Sequence, residues 1–475
     1  MRLTTPTETG LPHDLRGGQR TWPVTATTIS GWGRTNPVRS AVHHPTDHAE
    51  LEAAAGMGPT VARGSGRSYG DAAQNAGGGV IDTQAVNRIH HFDEQTGVIT
   101  IDAGITVDTL LHATVPHGWF IAVTPGTSQV TVGGAIAADI HGKNHHHDGS
   151  FCDHVTAMTV RTGRGTEHLT PSGTPEEFWV TAGGMGLTGV ILHATLQLRP
   201  VESPFITATT TRHPDLESLM AALDVADRAA GYSVAWLDGL ATGRHLGRGL
   251  VITGDHSTRQ QVEDSPRPAT PGAANRSRSM PPVALPIVNP IIARGFNVAW
   301  YRLHRPSKQI VPYQSFFHPL DSVSNWNLLY GRGGFVQWQI VVPDEAALFI
   351  SDALTELALT RAGSFLSVLK RFGPGNPSPL SFPMQGWTLA VDIPTRAPGL
   401  DGLLRSLDRR VAAVGGRVYL AKDSRLDPPL VDAMYPRLDE WRGTRDEMDP
   451  DGQFRSDLSR RLHLTHNKLP SGALR

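Results

Sequence analysis

"RGSGRSYGDAAQN", residues 63–75, sets Gly64, Gly66 and Gly70 within seven positions, interleaved with Ser65, Arg67, Ser68 and Tyr69 and closed by Asp71. Backbone this bare is needed where the chain turns with φ > 0 or where another group comes within van der Waals reach. Glycine-rich loops with Ser and Arg also cradle anions through their N–H groups. Alone, the string also reads as a surface turn, so its followers decide. A second Gly/Thr/Ser loop, "TPGTSQVTVGGAIAADIHGKNHH" (124–146), runs into a small-residue helix and a histidine cluster, and "AGGMGLTGVI" (182–191) is a third. Three such loops fit a long, flat, phosphate-bearing ligand lying along backbone.

Around these loops the pattern is α+β. "GVITIDAG" alternates as a strand, "TVDTLLHATVPHG" is a capped helix stopped by glycine, and "VTAMTVRTGRGTEHLT" reads as a hairpin. "TPEEFWVTAGGMGLTGVILHATLQLRPV" gives a capped helix, a glycine loop and a long strand, with Glu176 and Glu177 in the helix's first turn rather than as catalytic carboxylates. βαβ repeats are missing from this pattern, which argues against a Rossmann site. At 475 residues two domains are expected. The division is a disordered lead-in at 1–30, a ligand-binding domain at 31–200, a second domain at 201–425 with a mobile insertion at about 255–300, and a C-terminal segment at 426–475 that returns to the first domain. The insertion ends in "PPVALPIVNPIIARGFNVAWYRL", where Pro281, Pro282, Pro286 and Pro290 argue against a helix. Its apolar residues suit either a membrane surface or the core.

A net charge of −1 gives no global field for nucleic acid or an anionic membrane. The single cysteine, Cys152, excludes an intrachain disulfide and a cysteine-based metal cluster. Neither a signal-peptide h-region nor an uninterrupted apolar run long enough for a bilayer span is seen. His145–His147, read as part of a strand, would point to opposite faces, so no metal site is expected there. The chain carries only five lysines: Lys143, Lys308, Lys370, Lys422 and Lys468. Where arginine supplies the surface charge, lysines in Gly/His-rich or strand-end settings (Lys143, Lys370, Lys422) are the candidates for small, tunable ammonium groups. In "GFVQWQIVVP", Gln337 and Gln339 share one strand face, open to solvent or walling a polar pocket.

The three loops, in this order and spacing, resemble the flavin domain of the vanillyl-alcohol oxidase, or p-cresol methylhydroxylase, flavoproteins. The implied fold is α+β with two domains: an FAD-binding domain and a substrate domain built on an antiparallel sheet. The implied cofactor contacts are Arg63, Gly64, Ser65, Gly66, Arg67, Ser68, Tyr69, Gly70 and Asp71 at the pyrophosphate. Gly126, Thr127, Thr131, Val132, Gly133, Gly134, Ala138, Asp139, Ile140 and His141 follow along the ribityl chain and ring, with Val190 and Tyr419. Covalent members carry a histidine where this chain has Arg67, so FAD is expected without a covalent link.

"IHGKNHH", "FFHPLD", "LKRFGPGNPSPLSFP", "GWTLAVDIP", "GGRVYLAKDSR", "MYPRLDEW" and "SDLSRRL" extend the likeness to the oxidase components of decaprenylphosphoryl-β-D-ribose 2′-epimerases, the flavoenzymes of arabinan precursor synthesis in mycobacteria and their relatives. That implies oxidation of a lipid-linked ribose 2′-hydroxyl to a ketone, an NAD(P)H-dependent short-chain reductase as partner, and peripheral contact with the inner membrane from its cytoplasmic or periplasmic side. It makes Lys422, His141 and Tyr69 catalytic, and gives Lys370, Gln337, Gln339 and Lys422 to the substrate. An ammonium at Lys422 would stabilise charge developing on the ring or orient the substrate hydroxyl. For His141, base and positioning roles both fit. One departure is Ala390, where related chains carry a cysteine that reactive nitroaromatic inhibitors capture. Two other functions fit the same strings: an alditol or aldonolactone oxidase using O2, and a non-catalytic flavin-binding carrier of polyprenyl phosphates.

Overall fold

The computed structural model describes residues 25–265, 278–279, 289–360 and 365–465. Three sheets carry the chain. The first holds Thr25–Ile29, Val38–His43, Gly79–Asp82 and Thr60–Arg63 in that order, and the last three strands run parallel. The second is antiparallel: Ile89–Asp93, Val98–Asp102, Val190–Pro200, Val155–Arg161 and Thr166–Leu169, with Trp119–Ile121 pairing the far end of Val190–Pro200. The third is an eight-stranded antiparallel sheet ordered Ser307–Pro312, Phe205–His213, Gly249–His256, Tyr232–Leu237, Ser367–Phe372, Gly386–Pro394, Phe335–Val342, Arg417–Val418.

Phe335–Val342 shows how the large sheet places the site. All eight residues are buried, so a strand with two amides on one face must have both faces covered. Trp338, on one face, donates its indole N–H to Asp408 of the helix Leu400–Ala413 at 2.8 Å. On the other face the register aligns Gln337 with Asp392, Gln339 with Ala390 and Val341 with Thr388, and Thr388 in turn with Lys370. Gln337, Gln339, Ala390, Asp392 and Lys370 therefore line one surface. Ala390 alone in its strand is not fully buried.

Residues past 426 pack against the first two sheets. Trp441 donates to the Val180 carbonyl at 3.0 Å, and Arg445 to the Leu187 carbonyl at 3.0 Å. The 453–455 segment bonds both backbone groups of Thr60.

Four local expectations need correction. The lead-in drawn to residue 30 overlaps a strand, Thr25–Ile29, paired along its length with Val38–His43. The insertion drawn at 255–300 overlaps the end of Gly249–His256, a short helix Arg259–Glu263, and a helix Pro290–Leu303. Proline does not stop that last helix because Pro290 occupies its first turn, where no N–H is needed, and Asn289 caps the N–H groups of Ile291 and Ile292 at 3.0 Å. Pro281, Pro282 and Pro286 lie outside the described residues. Lys422 follows the short strand Arg417–Val418, in a turn at Tyr419–Asp423 where the N–H groups of Lys422 and Asp423 bond the Tyr419 carbonyl. His145–Asp148 is a helical turn rather than a strand.

Candidate active site

The 64–71 loop is bare for two separate reasons. A Cβ at Gly64 would overlap the Thr131 hydroxyl, and one at Gly70 would overlap the Asp423 carbonyl. These glycines thus fit the loop against its own protein neighbours. Gly66, at φ +61, makes the turn itself. Arg63 props the loop from below, donating to the carbonyls of Ser30 at 2.8 Å and Ala73 at 3.0 Å. Asp71 is held by Arg461 through two bonds of 2.8 and 2.9 Å, and Arg461 also reaches Asp423 at 2.8 Å. Both side chains act as supports.

Among the described residues, the N–H groups of Ser65, Gly66, Arg67 and Ser68 donate to no protein acceptor. Four consecutive free donors are what a backbone anion nest offers. Arg67 lies over the Trp32 ring at 4.0 Å, and its buried Nε has no partner.

The second loop is braced by the "FFHPLD" motif. Asp321 accepts from the Thr127 hydroxyl at 2.6 Å and from the Ser128 N–H at 2.7 Å. A Cβ at Gly126 would meet nothing, so open space faces this stretch. Thr131 caps the helix Val132–Ala137 through the Gly134 N–H at 3.2 Å, and Gly133 packs against Ala103. Ala138 gives its carbonyl to the Tyr419 hydroxyl at 2.8 Å. Asp139, at φ +37, accepts from Ser381 at 2.5 Å and Asn376 at 2.8 Å. Ile140 closes the turn on the Ala135 carbonyl, and Val190 opens its strand opposite Arg161.

The chemistry gathers where this loop meets the large sheet. His141 is buried, ringed by Phe372 at 4.8 Å, Tyr419 at 5.3 Å and Phe382 at 5.6 Å. The Gln339 amide lies 2.9 Å from His141 Nε2. Because Gln339 Nε2 also faces the Thr388 hydroxyl as a donor, the ring proton of His141 belongs on Nδ1, which has no partner. Burial, then the charges of Lys370, His145 and Lys422, hold its pKa well below the ordinary value, so the ring is neutral.

Lys422 Nζ sits 3.7 Å above the Tyr69 ring, and Lys370 donates to the Gly142 carbonyl at 3.1 Å. Lys143 bonds the Phe316 carbonyl and lies 4.2 Å over that ring. Burial lowers all three pKa values to about 7; Lys370 further lowers those of Lys143 and Lys422, while Asp392 partly restores Lys422. Tyr69 is pushed well above its usual pKa by burial and the Asp392 charge, so it stays a neutral phenol.

Asp392 is a candidate site residue that the sequence analysis did not single out. It is fully buried, takes the Gln337 amide at 2.6 Å, and is raised by burial to about 7. Its signal was a carboxylate in the middle of the apolar run "TLAVDIP". Cys152 is buried with its thiol raised well above the usual pKa, first by burial and then by Asp139, and is unreactive. Of the 145–147 histidines, His145 turns onto Phe372 at 4.5 Å, while His146 faces the Ala230 carbonyl at 3.3 Å and packs on His147 with ring centroids 4.4 Å apart.

These features fit FAD: free N–H donors for a pyrophosphate, a buried His141 donor without a protein acceptor, and three lysines against one carboxylate. Residues 40–170 match the family model described as an FAD binding domain. The chain is 42% identical to decaprenylphosphoryl-β-D-ribose oxidase of Mycolicibacterium smegmatis over 469 residues, covering 93% of this chain and 99% of that one. An uncharacterised protein of Streptomyces coelicolor is 41% identical over 76% of this chain and all of its own. Bovine L-gulonolactone oxidase matches at 32% over 29% of this chain and 31% of its own. The full-length match, together with the flavin loops, makes this chain a member of the decaprenylphosphoryl-β-D-ribose oxidase family of FAD-dependent oxidoreductases.

Proposed function

We propose that the protein oxidises the 2′-hydroxyl of a polyprenylphosphoryl-β-D-ribose to the 2′-ketone, the first half of its epimerisation to the arabinose form. The observation that carries this reading is the buried cluster of Lys422, Lys370 and Lys143 with one carboxylate, Asp392, beside the face of Gln337 and Gln339. A neutral alditol does not call for such an excess of positive charge, whereas a sugar phosphodiester offsets it. FAD, held by the Ser65–Ser68 N–H groups and the 126–141 loop, supplies the two-electron oxidant.

Lys370 binds the phosphate, and Lys143 adds to the field around it. His141, neutral and fixed by Gln339, presents Nδ1–H as a donor, so its role is positioning. Lys422, with a pKa of about 7, has its amine form populated at neutral pH and receives the hydroxyl proton at Nζ as the sugar carbon is oxidised. Tyr69 supports that ammonium through its ring face. The ketone then passes to an NAD(P)H-dependent reductase.

A lipid-linked substrate requires work at a membrane surface, because each exposed CH2 of its tail costs about 0.8 kcal/mol. No described helix is long and apolar enough to cross a membrane. The helix Pro290–Leu303 suits the contact. Ala293 and Asn297 are buried, Asn297 donating to Asp238 at 2.9 Å, while Ile291, Ile292, Phe296, Trp300 and Leu303 are exposed.

Anaerobic mixing tests the substrate. Polyprenylphosphoryl ribose should bleach the flavin absorbance, and free alditols should leave it. Bleaching by alditols at equal concentration would move the assignment to a soluble-sugar oxidase; no bleaching by any sugar would favour a carrier.

A further inference from the structure

We infer that His48, His90, Asp102 and His193 form a four-ligand site for a divalent transition-metal ion, zinc by its preference for such donors. The site uses none of the residues of the lysine cluster. The four residues offer ligand atoms that all lie within 4.8 Å of one another. Asp102, only 1% exposed, shares Oδ1 between His48 Nε2 at 2.8 Å and His90 Nε2 at 2.5 Å. The three imidazoles pack mutually, with ring centroids 4.8 Å (His48–His193), 5.5 Å (His90–His193) and 5.7 Å (His48–His90) apart.

The backbone is arranged to make this convergence. His193 and Asp102 are direct partners across the antiparallel pair. The register shifts between Ile89 and His91 and again between Ile191 and His193, so an irregularity flanks the site on each side. Bulges of this kind re-aim side chains, and here His90 joins the other ligands. His48 arrives from the first turn of the helix His48–Ala55, whose N-cap Asp47 accepts the Glu50 N–H at 2.8 Å.

The remaining Asp102 oxygen accepts the Arg88 N–H at 2.7 Å, the kind of outer contact that fixes a ligating carboxylate. His193 Nδ1 is buried without a hydrogen-bond partner. Three imidazoles and one carboxylate make a closed tetrahedral donor set, which suits zinc in a structural role better than magnesium or calcium. In a tetrahedral site with bonds of about 2.0–2.1 Å the ligand atoms stand roughly 3.3 Å apart, so small side-chain adjustments suffice. His48 and His90 are 32% and 37% exposed, which gives the ion a path in. Once bound, it would join the helix between the first sheet's strands to three strands of the second sheet.

The test uses the flavin-loaded, full-length protein, stripped with a chelator, mixed with zinc and freed of excess by gel filtration. Elemental analysis should find one zinc per chain. The double variant His90→Gln/His193→Gln should fall to background, and a control at the exposed pair, His112→Gln/His117→Gln, should keep its zinc. Zinc should raise Tm in the unaltered protein and the control, but not in the quartet variant; flavin content reports whether each variant folds. Cobalt on the unaltered protein gives an answer that needs no variant, since tetrahedral coordination brings strong visible bands to the red of the flavin. Substoichiometric zinc, zinc retained by the quartet variant, or only the weak spectrum of hydrated cobalt would overturn the inference and leave the cluster as a hydrogen-bonded knot.

Discussion

In the function proposed above, the 63–71 loop and the lysine cluster would both meet anions, and they differ in where the positive charge resides. In the loop Arg63 is committed to two carbonyls, while Arg67 stacks on Trp32 and keeps a buried Nε without a partner. Binding there would fall to fixed N–H dipoles and to a guanidinium that stays charged, neither of which titrates near neutral pH. In the cluster the charge belongs to three lysines lowered to about 7. Such groups change state near neutral pH. On the proposed function, a resident cofactor would be held by a surface indifferent to pH, while the group that turns over would meet one that responds to it.

The largest expected effect concerns the fixed side. Acid precipitation should release the entire flavin to the supernatant, because Arg67 stands where a linking histidine would be. Colour that stays in the pellet would mean that a covalent bond, not the dipole nest, holds the cofactor.

Next is Lys422→Ala, which should keep its flavin and lose about 10²–10³ in the rate of flavin reduction by substrate. Lys422→Arg separates charge from proton transfer, since an arginine stays protonated. If Arg restores the rate, Lys422 serves as a fixed charge and the contrast between the two regions weakens.

The pH profile sharpens the comparison further. The Lys370 charge is present below about 7 and lost as pH rises through it, so KM for the phosphorylated substrate should rise by roughly thirtyfold between pH 6 and 8.5. Over the same interval kcat should rise as Lys422 becomes an amine, and flavin affinity should hardly move. Lys370→Met should abolish the KM trend alone. A flavin affinity that tracks the KM would show that the cofactor depends on the lysines too.

The smallest effect on turnover belongs to Ala390→Cys. A nitroaromatic inhibitor of this enzyme class should leave no covalent adduct on the unaltered protein, because Ala390 has no thiol and Cys152 is buried. The variant should gain an adduct by intact-mass spectrometry with kcat changed by less than about twofold, as expected for an addition beside a half-open pocket. An adduct on the unaltered protein would place another nucleophile in reach.

Which parts were legible in the sequence follows the same division. The loops are contiguous strings whose glycines report their own geometry, and the Gln337/Gln339 face followed from the period of two along one strand. What a string does not carry is the partner across the fold. The closeness that requires Gly70 comes from Asp423, and the support under Asp71 from Arg461. Asp392 was visible as a charge in an apolar run, but its meaning depends on Gln337 opposite it in the sheet. The His48–His193 quartet is scattered over three strands and a helix, and so escaped a reading that looked at adjacent histidines. Pro290 misled because one residue type both stops a helix and starts one, and only its position distinguishes the two.

Arg461 fastens Asp71, which lies 390 residues earlier in the chain, and also reaches Asp423. On a ribosome adding about 5–20 residues per second, the loop would emerge roughly 20–80 s before the residue that fastens it. The nascent flavin domain must spend that interval with an unfastened nest, so cofactor capture belongs to the end of synthesis rather than its middle. A premature stop anywhere before Arg461 would then be felt first as colourless protein, even where every residue that touches the flavin had already been made.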